Sequence, residues 1–180
     1  MKTFKLIVDT REQNPLPIPG YLDEWLDPTS LPTTPQSQRV KIEVVRRGLE
    51  AADYVLEDDP GLLYTAEGTK GAAIVERKAS IDELSDNVFS PVRRPALIRL
   101  LSRMRERWTH PCLLVEGGLS TLFRPSRKVP TGLVIDGLQR LSLEYSVPIQ
   151  LIDGRGLTQR AHVGEWVVRY LLNATVRGGS

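Results

Sequence analysis

An α/β fold, with a mixed central sheet flanked by helices, is predicted by three features of the sequence. Two short apolar runs each end in an acid: residues 4–9 (FKLIVD) and 72–76 (AAIVE). Buried strands read this way when they deliver a polar group to a sheet edge. From residue 95 onward, helical and strand patterns alternate. The length of 180 residues, with 41% hydrophobic and 26% charged, suits one compact domain (1–180) with a single core.

Residues 4–9 are read as the first buried strand. Residues 14–38 follow with six prolines, at 15, 17, 19, 28, 32 and 35, and are read as a long proline-rich surface loop. Residues 40–45 (VKIEVV) alternate and are rich in β-branched side chains, as a strand requires. A turn at Gly48 leads to a short strand over 53–56. A further strand is expected over 62–66, between turns at 58–61 and 68–71. The strand over 72–76 ends at Glu76. Ser80 is placed to cap a helix over 81–88, with Glu83 at the capping-box position. This succession reads as meander-like.

In the second half, Leu97, Leu100, Leu101, Met104 and Trp108 fall at i, i+3, i+4, i+7 and i+11, one face of a helix beginning near Pro95. Residues 111–116 (PCLLVE) read as a strand and Gly117–Gly118 as a turn. Val134, Leu138, Leu141 and Tyr145 mark a second helix, residues 148–152 (PIQLI) another strand, and Ala161, Val168, Leu171 and Leu172 a last helix. Two strands separated by a helix imply a right-handed crossover, so the sheet is partly parallel.

Composition excludes several classes. Cys112 is the single cysteine, so no intrachain disulfide forms. It falls in an apolar strand, where a thiol packs as a small core residue. His110 and His162 have no acid or cysteine at metal-binding spacing and read as structural. No apolar run is long enough to cross a membrane, and the N-terminus reads as a strand, so a soluble, reducing compartment is expected. Net charge is +2 from 24 Lys+Arg and 22 Asp+Glu, which leaves nucleic-acid binding open. The distribution says more: Arg93, Arg94, Arg99, Arg103, Arg105 and Arg107 fall within fifteen residues. A solvated helix face accounts for such a cluster, and so does contact with a DNA backbone, where phosphate neutralisation dominates affinity. Trp25 is read either as a contact residue or as loop packing.

Hydrolysis of a phosphodiester needs a metal ion, carboxylates to hold it, and a cation for developing negative charge. Asp53, followed by Glu76, Arg77 and Lys78 at a strand end, supplies these groups. Strand alternation puts Glu76 and Lys78 on one side and Arg77 on the other. An acid–x–Lys triplet alone is a loose signal and fits a solvated pair equally well.

The longer pattern narrows it. V-D-T-R-E at 8–12, A-D-Y at 52–54 and V-E-R-K-A-S-I-D at 75–82 resemble, in order, the motifs of the XPF-type structure-specific endonucleases of the PD-(D/E)xK superfamily. The likeness continues through the arginine-rich helix, L-L-V-E-G at 113–117 and Y-S-V-P at 145–148. Ala52 stands where that family has glycine, and the proline-rich loop is longer than expected.

The resemblance implies a restriction-endonuclease-like fold and a Mg²⁺- or Mn²⁺-dependent endodeoxyribonuclease that prefers branched, flap or forked DNA. A junction resolvase or simple nicking enzyme is its nearest neighbour. It implies Asp53 and Glu76 as metal ligands, with the Arg77 carbonyl as a third, and Asp9 as a direct or water-mediated ligand. Lys78 would orient or help deprotonate the attacking water and offset phosphate charge. Asp82 would orient Lys78 or a water, or merely stabilise its helix N-terminus. Arg11 and Arg77 would contact phosphate or brace the carboxylates, and Glu12 reads as a surface acid. Arg93, Arg94, Arg99 and Arg103 are the expected DNA contacts.

The resemblance further implies a homodimer and a prokaryotic or phage-infected cytoplasm. Helix-hairpin-helix and helicase regions found in many relatives are not in these residues. A catalytically silent DNA-binding or scaffold subunit is the alternative, and such members lose acids that this chain retains.

Overall fold

A computed structural model describes residues 1–25, 37–63, 69–123, 129–153 and 156–177. Seven strands form one sheet in the order β2-β3-β1-β4-β5-β6-β7: β1 (Thr3–Asp9), β2 (Tyr21–Trp25), β3 (Ser37–Arg47), β4 (Tyr54–Leu56), β5 (Gly71–Lys78), β6 (Trp108–Glu116) and β7 (Ile149–Ile152). The helices are α1 (Ile81–Phe89), α2 (Arg94–Arg107), the short α3 (Leu119–Leu122), α4 (Thr131–Tyr145) and α5 (Leu157–Arg177).

β3 runs parallel to β1, and β5, β6 and β7 are mutually parallel. β4 is antiparallel to both β1 and β5, so these two blocks point the same way. The carboxyl ends of β1, β3, β5, β6 and β7 therefore share one sheet edge with the start of β4. Open α/β sheets bind their ligands at that edge.

Two apolar layers sandwich the sheet. Ile7, Val55, Ile74, Leu113 and Val115 face α1, α2 and α4 through Leu84, Leu101, Met104, Val134 and Leu138. Leu6, Val8, Val75, Cys112 and Leu114 face α5 through Val163, Val167, Val168 and Leu171. Central strands covered on both faces lose polar alternation. Leu6, Ile7 and Val8 are accordingly all buried.

The mixed, helix-flanked sheet is as expected from sequence, but four local readings are corrected. The first half is no meander. The connection through 10–36 is long enough for a crossover, so β3 lies parallel to β1. The loop reading of 14–38 misses β2, which sits in the proline-free stretch 20–27. There Leu22 is buried between exposed Tyr21 and Asp23, and the strand pairs antiparallel with β3. The strand expected over 62–66 begins as a 3-10 turn, Pro60–Leu63, and 64–68 lie outside the described residues. Trp108 does not continue α2 but opens β6, where it is buried with Nε1 donating to Asp59. That specific polar partner outweighs helical periodicity. α5 also runs past the expected residue 172, and α3 follows the turn at Gly117–Gly118 directly.

Candidate active site

Three neighbouring strands bring the motif acids together. Asp9 ends β1, and its N–H donates to the Asp53 carbonyl at 2.9 Å; the Asp53 N–H donates to the Val75 carbonyl at 3.0 Å. Side-chain parity then sorts the strand ends. Asp9, Asp53, Glu76 and Lys78 share the phase of Ile7, Val55 and Ile74, and so face α1 and α2, whereas Arg77 faces α5. They border a cleft of about 680 Å³, walled on one side by Arg11, Gln13 and Asn14 and on the other by Glu83, Arg99 and Arg103.

Glu76 is buried, and Lys78 Nζ donates to its Oε1. Burial pushes the Glu76 carboxyl up, against the pull of Lys78. Burial and the neighbouring Glu76 push Asp53 up to about 8, although the Arg77 N–H bonds its Oδ2 at 2.8 Å. Burial would lower the Lys78 ammonium, but Glu76 outweighs it and holds Lys78 above its ordinary value. Two buried carboxylates that repel each other are stabilised either by a proton or by a cation.

Asp9 differs. Its Oδ1 accepts from the N–H groups of Arg11 (3.1 Å) and Leu49 (3.4 Å). Its Oδ2 accepts from Arg11 Nε at 2.7 Å, and Arg11 Nη2 lies 2.5 Å away as an ion-pair contact. Burial opposes ionisation, yet the hydrogen bonds from Arg11 and Leu49 prevail and hold Asp9 below the usual range. The carboxylate braces Arg11, which also donates to the Leu49 carbonyl at 2.5 Å, and Asp9 borders the cleft.

The residues fit a divalent ion as a sparse donor set. Asp53 Oδ1 and Glu76 Oε2 have no hydrogen-bond donor among the described residues, and hard divalent ions keep several waters and need few protein oxygens. Among the described residues no group of three His, Cys, Asp or Glu is arranged around an ion.

Other expected residues divide. Asp82 is exposed; Glu83 instead lies 3.9 Å from Lys78 Nζ, while its N–H bonds the Ser80 cap and its Oε2 accepts from the Ala79 N–H. Parity within α1 decides this, since Asp82 is one residue out of phase. Arg99 and Arg103 line the cleft, Arg103 donating to the Glu50 carbonyl at 2.6 Å. Arg93 and Arg94 are exposed outside the lining, Arg93 lying 3.8 Å from Asp86. Arg77 is buried against Glu116 and Glu12. Glu12 is therefore no free surface acid, as sequence alone suggested. Ala52 sits at φ +59°, the left-handed region that favours glycine, and is buried beside Asp53. The side chain of Trp25 and the prolines at 28, 32 and 35 lie outside what is described.

Comparison with known proteins bears on the family and the fold. A model of the ERCC4 domain matches residues 8–163. The solved structure of XPF from Aeropyrum pernix superposes with a TM-score of 0.57 at 19% identity, over 98% of this chain and 64% of that chain. The structure titled XPF from Aeropyrum pernix, complex with DNA, superposes with a TM-score of 0.54 at 19% identity, over 94% of this chain and 66% of that one. At such identity the likeness speaks for the fold, and this chain spans about two thirds of the length of those it matches. No curated protein matches the sequence.

Proposed function

The chain belongs to the ERCC4 domain family, a family of DNA nucleases, and from that premise we propose that it is a divalent-metal-dependent endodeoxyribonuclease acting on branched DNA. The observation that carries this reading is the pairing of half-buried Asp53 with buried Glu76 beside Lys78, with one oxygen of each acid lacking a donor and two arginines across the cleft.

Asp53 and Glu76 hold Mg²⁺ or Mn²⁺ in this proposal, and Asp9 acts at one remove by fixing Arg11. When bound, the ion lowers the pKa of water and neutralises phosphate charge. Lys78 orients the attacking water through Nζ and offsets charge as the phosphorane-like transition state develops. Arg99 and Arg103 bind the DNA backbone and hold the scissile phosphate over the acids. Glu83 keeps Lys78 charged and aligned.

Branch preference is assigned to a homodimer, in which a second copy holds the other DNA arm. Exposed Leu133 and Leu143 on α4 and Leu157 on α5 support pairing through those helices.

The test is incubation of pure protein with labelled flap, fork, junction, duplex and single-stranded DNA in Mg²⁺, Mn²⁺ or chelator, with light scattering for mass. Metal-dependent cleavage strongest on flap or fork is expected from a dimer. Two phosphate contacts per copy, by Arg99 and Arg103, would give a log-affinity against log-salt slope of about −1.8 for each copy. Absence of cleavage with either ion on every substrate rejects the enzyme reading in favour of a silent subunit. A strict monomer that still prefers forks rejects the dimer.

A further inference from the structure

The strand end that turns Glu76 and Lys78 toward α2 turns Arg77 toward α5, and on that side the polar groups close into a ring. Arg77 Nη1 donates to Glu12 Oε2 at 3.1 Å, while its Nε and Nη2 reach Glu116 Oε1. Arg160, in the first turn of α5, brings its buried Nε to 3.5 Å from Glu116 Oε2, an ion-pair contact without a hydrogen bond. Its Nη1 donates to Asn14 Oδ1 at 2.9 Å and its Nη2 to the Asn14 carbonyl at 2.7 Å. The Asn14 N–H donates to Glu12 Oε1 at 2.9 Å, which completes the circuit Glu12–Arg77–Glu116–Arg160–Asn14.

Two cations face two carboxylates, with side-chain exposures of only 4% for Arg77, 8% for Glu116, 11% for Glu12 and 17% for Arg160. Buried ion pairs offset their desolvation only with further hydrogen bonds in good geometry; the Asn14 backbone supplies two, and Arg160 Nε, facing Glu116, has none. The ring joins segments far apart in the chain. One is the segment 12–16, whose Glu12, Gln13 and Asn14 border the cleft. Beyond it the chain rests on α5 at Gly164, where a Cβ would come within 2.0 Å of the Pro17 carbonyl oxygen. Leu16 N–H donates to the Tyr54 hydroxyl at 3.0 Å. The other is the end of β5, where the Arg77 N–H orients Asp53.

We propose that Arg160 is a positioning residue for the DNA-cleaving site. It holds the cleft wall at 12–16 and, through Glu116 and Arg77, the strand end that presents Asp53 and Glu76. The inference rests on the nuclease reading above. A planar guanidinium serves Glu116 and both Asn14 oxygens at once, whereas a lysine ammonium on a flexible stem has no such fork.

Hydrogen exchange by NMR and steady-state cleavage of a labelled flap, on wild type, Arg160→Ala and Arg160→Lys, test it. In Arg160→Ala the amides of Asn14, Leu16 and Arg77 should exchange about tenfold faster while those of α4 keep their rates. The kcat should fall about tenfold, as small misplacements of reacting groups do. Arg160→Lys should not restore the protection of Asn14. Wild-type protection at these amides, wild-type kcat, or faster exchange throughout the molecule would each overturn the proposal. A wild type that cuts no DNA rejects the nuclease reading separately. Mn²⁺ titration of the same variants then decides: weaker binding in Arg160→Ala upholds the positioning of Asp53 and Glu76, and unchanged binding rejects it.

Discussion

Acid sites lie at opposite ends of β5, buried Asp59 at one and half-buried Asp53 with buried Glu76 at the other, and they differ in how many lone pairs the protein itself fills. At the amino end, Asp59 Oδ1 accepts from the Gly61 N–H at 2.8 Å and Trp108 Nε1 at 3.0 Å. Its Oδ2 accepts from the N–H groups of Ala72 at 3.0 Å and Ala73 at 3.3 Å. At the carboxyl end, Asp53 and Glu76 have one such oxygen each and repel one another. Burial alone thus does not mark a functional acid. A saturated carboxylate ties chain segments together, and an unsaturated, crowded one is available to a ligand.

The widest separation between the two sites should come from removing one acid at each. Glu76→Gln is expected to reduce metal-dependent cleavage by roughly 10²–10³-fold without lowering the denaturation midpoint, because it removes a repelled charge. Lys78→Ala should likewise abolish cleavage. Asp59→Ala should cost about 3 kcal/mol or more, since it leaves three backbone N–H groups and an indole N–H unpaired, while the folded fraction still cuts. Cleavage assays and urea denaturation on the same preparations check this. An active Glu76→Gln, or an Asp59→Ala of wild-type stability, would erase the distinction.

A crowding substitution probes the closed site alone. A Cβ on Gly71 would come within 1.9 Å of Asp59 Oδ1 and 2.5 Å of Trp108 Cδ1. Gly71→Ala should therefore destabilise by about 1–3 kcal/mol, measured by denaturant unfolding, with Mn²⁺ affinity unchanged.

The open site should reveal itself through pH. Asp53 is raised in the folded protein by burial and by Glu76. Its stabilising contribution is complete below the unfolded pKa of 3.8 and is lost as pH rises through the folded value of about 8. Between those values the native state holds a proton that the unfolded state has released. Metal-free protein should therefore lose stability on going from pH 5 to 8, by at most about 1.4 kcal/mol per pH unit for one proton. Asp53→Asn should flatten that slope, and saturating Mn²⁺ should remove it, because the ion favours the ionised pair and the native state then holds no extra proton. A slope unaffected by Asp53→Asn would place the titration elsewhere.

The smallest effect concerns Ala52, beside the open site. Relief of its left-handed backbone in Ala52→Gly should stabilise by about 1 kcal/mol, less whatever its buried methyl contributes. Thermal unfolding measures it, and a destabilised variant would mean that the methyl contact outweighs the strain.

Much of this was legible in the residues. The apolar runs ending at Asp9 and Glu76, the Ser80 cap and the stripe through Leu97, Leu101 and Met104 are short-range patterns with period two or 3.6, and they mark most of the core elements. The opposite facing of Arg77 relative to Glu76 and Lys78 follows from strand alternation and needs no tertiary information. Ala52 was visible as a departure from glycine, though not as a residue at positive φ. Asp82 and Glu83 were not separable, because either phase of a short helix satisfies its sequence.

By itself, then, the sequence determined which strands end in acids, which side chains share a face, and the family whose motif they form. Tertiary structure alone decided which donors each acid meets. Leu49, forty residues from Asp9, adds a backbone N–H to it. Arg160, 146 residues from Asn14, closes the ring that removes Glu12 and Arg77 from solvent. Trp108 leaves a helical register to reach Asp59, 49 residues away. The reason is physical: periodicity reports on a residue's own element, whereas saturation of a buried polar group depends on donors delivered by the packing of others.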